Sequence, residues 1–349
     1  LVAKAYDVVL SGYYGFGNLG DELICRALIE MAIKAGIDKS RLCVLSANPK
    51  ETSEKFGVAA VDRWNLFEVF RALRQSRSLL LGGGGLFQDS TSLRSSLYYW
   101  GVVFLARMAG ARPWAFGQSV GPFRSKLAAK LARNALKHCS PRCVRDDNSA
   151  ALLSSWGLEF FMTPDAVFAL SFKETEKASD GDILVFNVRP LPRQEGGVKL
   201  LVREAERFAK MQRYKLRAVC MAEEDLKELK ASGVSPDCEV FLLKGASDVE
   251  PAFEGAAKAA GMRLHFCLLA LMKGIPLVAF PYDPKVKSFA LTWNIPIWER
   301  GERFDSLFSE ARQAEGQKVA EAREALRKSF DSALKIALGD EEHWNVNRS

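Results

Sequence analysis

Arg263-Leu264-His265 is followed twenty residues later by Lys285, in Asp283-Pro284-Lys285, so two cations and an imidazole fall in one short stretch. An imidazole near two cations has a lowered pKa and is poised for proton transfer near neutrality, while the fixed positive charge suits an anionic ligand. His265 is one of three histidines, with His138 and His343; the plainer alternative is a satisfied structural residue. Arg145-Asp146 stands at the end of a predicted strand, where the plainer alternative is a surface ion pair.

Two glycine-rich turns, each read as lying between a strand and a helix, supply bare backbone. The first, Gly12 to Glu22, reads GYYGFGNLGDE, and the second, Gly82 to Asp89, reads GGGGLFQD. Such turns bring N–H groups and a helix N-terminus close to a ligand, which suits phosphate or another anion. The first contains a literal G-x-G-x-x-G, but the strand Arg41 to Leu45 ends without a carboxylate to hold a ribose diol, which argues against a dinucleotide. Four consecutive glycines cost backbone entropy, so close approach to a ligand is expected there. Gln88 and Asp89 offer an amide and a carboxylate for sugar hydroxyls; alternatively Asp89 caps the helix entered through Ser90-Thr91-Ser92. Gly117-Gln118-Ser119-Val120-Gly121-Pro122 reads as a third glycine turn at a strand end, where open α/β sheets bind ligands.

The elements that must position these residues alternate. Predicted strands are Asp7 to Ser11, Arg41 to Leu45, Ser78 to Leu81, Pro113 to Phe116, Arg142 to Arg145 and Leu158 to Met162. Between them come helices Asp21 to Ala35, Asn65 to Gln75, Leu93 to Ala109, Lys126 to Lys137 and Ser149 to Trp156. This rhythm implies a parallel sheet covered on both faces. The polar stretch Lys173 to Gly181 is the best domain boundary. Beyond it lie strands Ile183 to Val188, Leu216 to Met221, Glu239 to Leu243 and Pro276 to Phe280. Helices are read over Val198 to Lys210, Glu223 to Ala231, Val249 to Ala260, Phe266 to Met272 and Val286 to Leu291. An amphipathic tail helix from Gln317 to Leu338 packs against a domain. The predicted domains are 1–172 and 173–349.

With 349 residues, two domains are expected. No apolar stretch is long enough to span a membrane, and the first residues show no secretory pattern. Seven scattered cysteines without a C-x-x-C pair read as reduced, buried thiols, and zinc is not expected. The net charge of +7 admits nucleic acid, an anionic membrane face or an anionic substrate; the cations are dispersed and no nucleic-acid motif accompanies them.

Taken in order, GYYGFGNLGDE, GGGGLFQD with Thr91-Ser92, GQSVGP, Arg145-Asp146 with Ser149, Thr163-Pro164-Asp165, Gly261 to His265 and Tyr282 to Val286 resemble the polysaccharide pyruvyl transferase family, in particular the CsaB type that modifies secondary cell-wall polymers. The resemblance implies a GT-B-like α/β fold, with two Rossmann-like lobes and a cleft between them, the first lobe on the acceptor side and the second on the donor side. It implies transfer of the pyruvyl group of phosphoenolpyruvate to a sugar such as N-acetylmannosamine, as a 4,6-ketal with release of phosphate. That reaction belongs to cell-wall polysaccharide biosynthesis and the anchoring of surface-layer proteins. Arg145, His265 and Lys285 are then the catalytic trio: Arg145 and Lys285 on the donor's anionic groups, His265 in proton transfer. Arg263 becomes a candidate for phosphate, and Asn18, Asp21, Gly84, Gln88, Asp89, Arg94, Gly117 and Gln118 line the substrate side. No metal and no cofactor are implied, since phosphoenolpyruvate is a co-substrate. The acceptor is a lipid-linked or polymeric saccharide, and the expected location is cytoplasmic, with peripheral contact at the inner membrane face. The competing expectation is a GT-B glycosyltransferase using a nucleotide-sugar donor.

Overall fold

Short apolar runs between well-signalled helix starts build the chain, as a computed structural model shows. The structure describes residues 4–89, 93–172, 181–191, 197–299, 301–313 and 316–339. Ser90 to Ser92 and most of the polar stretch after Phe172 lie outside the described residues. Two compact units result: one comprises the chain up to Phe16, Asp21–Ala169 and the residues from Ala322 on, the other Gly17–Gly20 and Leu170–Glu321.

In unit 1 the strands are β1 (Tyr6–Ser11), β2 (Leu42–Ser46), β3 (Ala59–Asp62), β4 (Ser76–Phe87), β5 (Arg112–Val120), β6 (Arg142–Val144) and β7 (Phe161–Met162). They form one parallel sheet in the order β3-β2-β1-β4-β5-β6-β7. The crossovers are α1 (Leu19–Lys34), α2 (Pro49–Phe56), α3 (Leu66–Arg74), α4 (Leu93–Ala109), α5 (Lys126–Lys137) and α6 (Asp147–Ser155). Asn48, Asn65, Ser125 and Asp146 each cap a helix with a side-chain oxygen on a first-turn N–H. Strands β1, β2 and β5 are buried on both faces, as covered parallel strands require, and the edge strands β3 and β7 are less so. A core from Val9 and Leu79 through Val102 and Leu136 lies beneath α3, α4 and α5.

Two sequence readings are corrected here. The glycine run is not a turn after β4 but part of it, and Gly117 to Val120 likewise belong to β5. Positive φ at Gly83 and Gly84 and a register shift against β5 keep the ladder going where a side chain would stop it. The segment Pro49–Phe56 and the strand after it carry no matching sequence signal, because polar α2 has little apolar period.

Unit 2 holds β8 (Ile183–Asn187), β9 (Lys215–Cys220), β10 (Glu239–Leu242), β11 (Ala256–Gly261) and β12 (Leu277–Ala279), parallel in the order β10-β9-β8-β11-β12. Its helices are α7 (Gly197–Gln212), α8 (Glu223–Ala231), α9 (Val249–Phe253), α10 (Leu264–Met272), α11 (Pro284–Thr292) and α12 (Phe304–Glu310). The predicted helix Val249 to Ala260 is corrected to a short α9 followed by strand β11. Gly255, at φ 71°, breaks the helix, and the alanines of β11 fit a fully buried central position that leaves little room for larger side chains. The tail helix α13 (Gly316–Leu338) is grouped from Ala322 on with unit 1, where Phe330 packs against Trp114 and Phe116 of β5.

Candidate functional site

In unit 1 the first glycine loop is tied down from several sides. Glu22 accepts from the Gly15 N–H at 2.8 Å, and buried Tyr14 donates its hydroxyl to the Gly82 carbonyl at 2.6 Å. A Cβ at Gly82 would stand 2.5 Å from the Tyr14 oxygen, and one at Gly83 would stand 2.4 Å from Ile24 of α1. The close approach that demands those two glycines is therefore internal. Gly84 differs: its added Cβ would face Asp21 Oδ1 at 3.0 Å. Gly117, at φ 66°, comes next to the Gly83 Cα. Gln118 is fully buried and donates to the carbonyls of Leu81 (2.9 Å) and Gly83 (3.4 Å), while its Oε1 has no partner among the described residues. A buried, unsatisfied carbonyl oxygen is costly and marks the strand β4–β5 junction as a place where a donor belongs.

Asp89 accepts backbone N–H groups of Arg124 (2.7 Å) and Ser125 (2.6 Å), so it stabilises the start of α5; the helix entry through Ser90-Thr91-Ser92 lies outside the described residues. The amide of Gln88 lies over Gly85, and Arg94 is exposed in the first turn of α4.

Arg145 follows β6 with its side chain 5 % exposed. Its Nε donates to Ser119 Oγ at 2.9 Å and Nη1 bonds Asp165, whose other oxygen holds the Val167 N–H. The Asp146 carboxylate instead caps α6 through Ser149. A guanidinium offers five N–H donors, and Ser119 and Asp165 occupy two of Arg145's among the described residues, which leaves a pre-oriented fork for an anion.

In unit 2 the chemistry gathers at the carboxyl ends of β8, β11 and β12. His265 sits in the first turn of α10, immediately after β11. Gly17–Gly20 belongs to this unit, with Leu19 N–H bonded to Met221 O at 3.1 Å. A Cβ at Gly20 would fall 2.1 Å from His265 Nδ1, so the absence of a side chain there makes room for the imidazole. Asn18 accepts from the Gly20 N–H at 3.2 Å and so stands in the same unit as His265, not with the other residues of the predicted acceptor side.

Arg263 is committed elsewhere. It grips Asp225 twice (2.7 and 2.5 Å) and Glu224 once (2.7 Å), and its N–H bonds Asn187. Asp225 is fully buried, and burial pushes its carboxyl above the usual range against the pull of Arg263. Lys285 lies in the first turn of α11, 3.4 Å from Asp283, which caps the same helix.

Sequence reasoning missed Arg189. It follows β8, donates to Tyr282 Oη at 2.6 Å and lies 4.3 Å over that ring, while its buried Nε has no partner among the described residues. The signal available was an arginine close to a strand end, the kind of placement that drew attention to Arg145. The seven cysteines are all buried and free, and burial pushes Cys43, Cys139, Cys143, Cys220 and Cys267 up to about 12, so none is a thiolate nucleophile near neutrality. Among the described residues no group of His, Cys, Asp and Glu is placed to hold a metal ion.

Among solved structures, the chain is similar to a UDP-N-acetylglucosamine 2-epimerase from Rickettsia bellii, with a TM-score of 0.61 at 11% identity over 96% of this chain and 97% of that one. It is similar to the UDP-GlcNAc 2-epimerase from Neisseria meningitidis bound to UDP-GlcNAc, with a TM-score of 0.60 at 8% identity over 93% and 99%. A third is the sucrose-phosphate synthase from Thermosynechococcus elongatus, with a TM-score of 0.55 at 13% identity over 95% of each chain. These likenesses show the fold: GT-B-like α/β, with two Rossmann-like lobes. No curated protein sequence matches the chain. The family model for polysaccharide pyruvyl transferase matches residues 18–284.

Proposed function

We infer the reaction from kinship: the chain belongs to the polysaccharide pyruvyl transferase family and is a transferase. We propose that its donor is phosphoenolpyruvate and its product a 4,6-linked pyruvate ketal on a sugar of a cell-wall polysaccharide, N-acetylmannosamine in the secondary cell-wall type, where the ketal anchors surface-layer proteins. The match from Asn18 to Pro284 carries this reading, and the array of Arg189, His265 and Lys285 at neighbouring strand ends of unit 2 supports it.

In the proposed reaction the methylene carbon of phosphoenolpyruvate takes a proton and becomes a methyl group. A sugar hydroxyl bonds to the cationic carbon as its own proton departs. The second hydroxyl then attacks the same carbon, its proton departs, and the carbon–oxygen bond to phosphate breaks. Two C–O bonds form and one breaks; of the two hydroxyl protons, one replaces that delivered to the methyl group and the other leaves with phosphate. His265 moves these protons, because an imidazole shuttles near neutral pH. The resemblance gives the donor's carboxylate and phosphate to Arg145 and Lys285, cations suited to holding charge where it develops. Gln118, Gly84 and Asp21 form the polar edge for the acceptor.

The test is incubation with phosphoenolpyruvate and lipid-linked saccharides, followed by mass spectrometry for the ketal increment and an assay of inorganic phosphate. Equimolar phosphate and ketal are expected. Turnover of a nucleotide sugar with no phosphate from phosphoenolpyruvate would replace this reading with glycosyl transfer.

A further inference from the structure

Helices α3, α4 and α5 form one layer over the sheet of unit 1, their inner sides packed into its core through Val69, Val103 and Ala132. The outer side has an unusual composition. The three helices together hold eight lysines and arginines against one carboxylate, Glu68. That net of seven positive charges equals the formal net charge of all 349 residues. Elsewhere the chain's charges balance; here they do not. Arg71, Arg74, Arg107, Lys126, Lys130 and Lys137 form no side-chain ion pair among the described residues, and Arg107 and Lys137 both depress the pKa of His138, next to which burial acts more strongly still.

The same surface exposes large apolar side chains. On α4, Leu93, Leu97, Phe104 and Met108 fall on one helical stripe facing solvent, with Met108 61% exposed. Leu66 and Phe67 open α3, Phe67 at 76% exposed, and Leu127 is exposed in the first turn of α5. Scattered exposed apolar residues need no explanation, but a stripe bordered by unpaired cations does.

We propose that this face of unit 1 is a docking surface for an anionic lipid bilayer, its apolar stripe entering the headgroup boundary while the flanking lysines and arginines meet lipid phosphates. Apolar side chains over a basic helical face are the physical signature of interfacial binding. Among the described residues no helix is long and apolar enough to cross a membrane, so the contact lies on the surface. A second copy docking through the same face would oppose two sets of seven positive charges. Nucleic acid would satisfy the cations and leave Phe104 and Met108 against a polar partner. Only a lipid surface answers both halves. The proposal concerns unit 1 alone and is independent of the transfer reaction.

Flotation of the full chain with phosphatidylcholine vesicles, with and without phosphatidylglycerol, tests it without substrate. Binding is expected only with phosphatidylglycerol and is weakened by salt. Lys130→Gln with Lys137→Gln lowers partitioning by about thirtyfold, and Phe104→Ser with Met108→Ser by at least about tenfold. Leu291→Ser, an exposed position on α11 of unit 2, leaves it unchanged. Melting curves of each variant confirm folding. No binding to anionic vesicles overturns the proposal, as does equal binding by both double variants. A dimer dissociated by Phe104→Ser/Met108→Ser would overturn it in favour of a second copy, and duplex DNA bound equally well by that variant would overturn it in favour of nucleic acid.

Discussion

The residues with chemical potential are used differently in the two units. In unit 1 several of them are turned inward: Gly82 and Gly83 admit Tyr14 and Ile24, and Asp89 ties down α5, while Arg145 leans on Asp165 and Ser119 and keeps further N–H donors open among the described residues. In unit 2 the strand ends present a titratable imidazole and two cations, Lys285 and Arg189, held by few partners: a 3.4 Å approach to Asp283 and one bond to Tyr282. Arg263 is the exception there, locked between Asp225 and Glu224. A motif's residues thus divide into those that shape the backbone and those that, in the proposed reaction, face a ligand, and spacing alone does not tell which is which. Substitutions can separate the two groups by whether activity or stability moves.

The largest effect is expected at His265. His265→Gln should lower kcat by about 10³-fold, within the range for lost acid–base catalysis, with an unchanged melting temperature. Gly20→Ala should act on the same group from outside. Its methyl would displace the ring that now approaches within 2.1 Å of that position, costing roughly 10²-fold in kcat through misplacement. Steady-state kinetics with parallel thermal melts check both. A His265→Gln variant with normal turnover would move the proton-transfer chemistry out of unit 2.

Arg263→Met should instead show in stability. Removing one partner of a buried pair leaves Asp225 uncompensated, at a cost of about 3–5 kcal/mol read by urea denaturation. If Arg263→Met kept its stability and lost saturation by phosphoenolpyruvate, Arg263 would join the ligand-facing group that the resemblance assigned it to.

Legibility followed the same division. Alternation of apolar runs with capped helices was readable, and Lys126–Lys137 and Glu223–Ala231 end where the periodicity says, because Ser125 and the acidic first turn of α8 mark their starts. Strand β11 was not readable, since AAKAAG favours a helix locally and becomes a strand only by lying between β8 and β12. The continuation of β4 through four glycines was hidden for a related reason: it depends on α1 packing closely against it. The candidate residues could be named from their motifs, but not their partners. Arg145 and Asp165 are twenty residues apart and meet only through the register of β5, β6 and β7. Arg189 belongs to no glycine turn and acquires its place from Tyr282, 93 residues later.

Arg189 gives the next sharpest test. Its guanidinium already lies over an aromatic ring with a buried N–H unsatisfied, so a donor anion would gain a charge-assisted hydrogen bond there. Arg189→Met should raise the KM for phosphoenolpyruvate about tenfold with little change in kcat, the pattern of a contact made equally in ground and transition states. An unchanged KM with a lower melting temperature would return Arg189 to the shaping group, as a support for Tyr282.

The smallest effect is expected at Asp89, and it bears most directly on the contrast between the units. Both carboxylate oxygens accept backbone N–H groups at the start of α5, leaving that side chain doing the work of a helix cap. Asp89→Ala should therefore cost about 1 kcal/mol of stability, as lost caps do, and leave the KM for the saccharide acceptor within twofold, roughly the scatter of such measurements. Asp89→Asn, which keeps one acceptor oxygen, should recover part of the loss. The decisive readout is the acceptor KM at a temperature where both variants are fully folded. If it rises tenfold or more in Asp89→Ala and also in Asp89→Asn, the carboxylate contacts sugar hydroxyls in addition to capping α5, and Asp89 moves from the shaping group to the ligand-facing one.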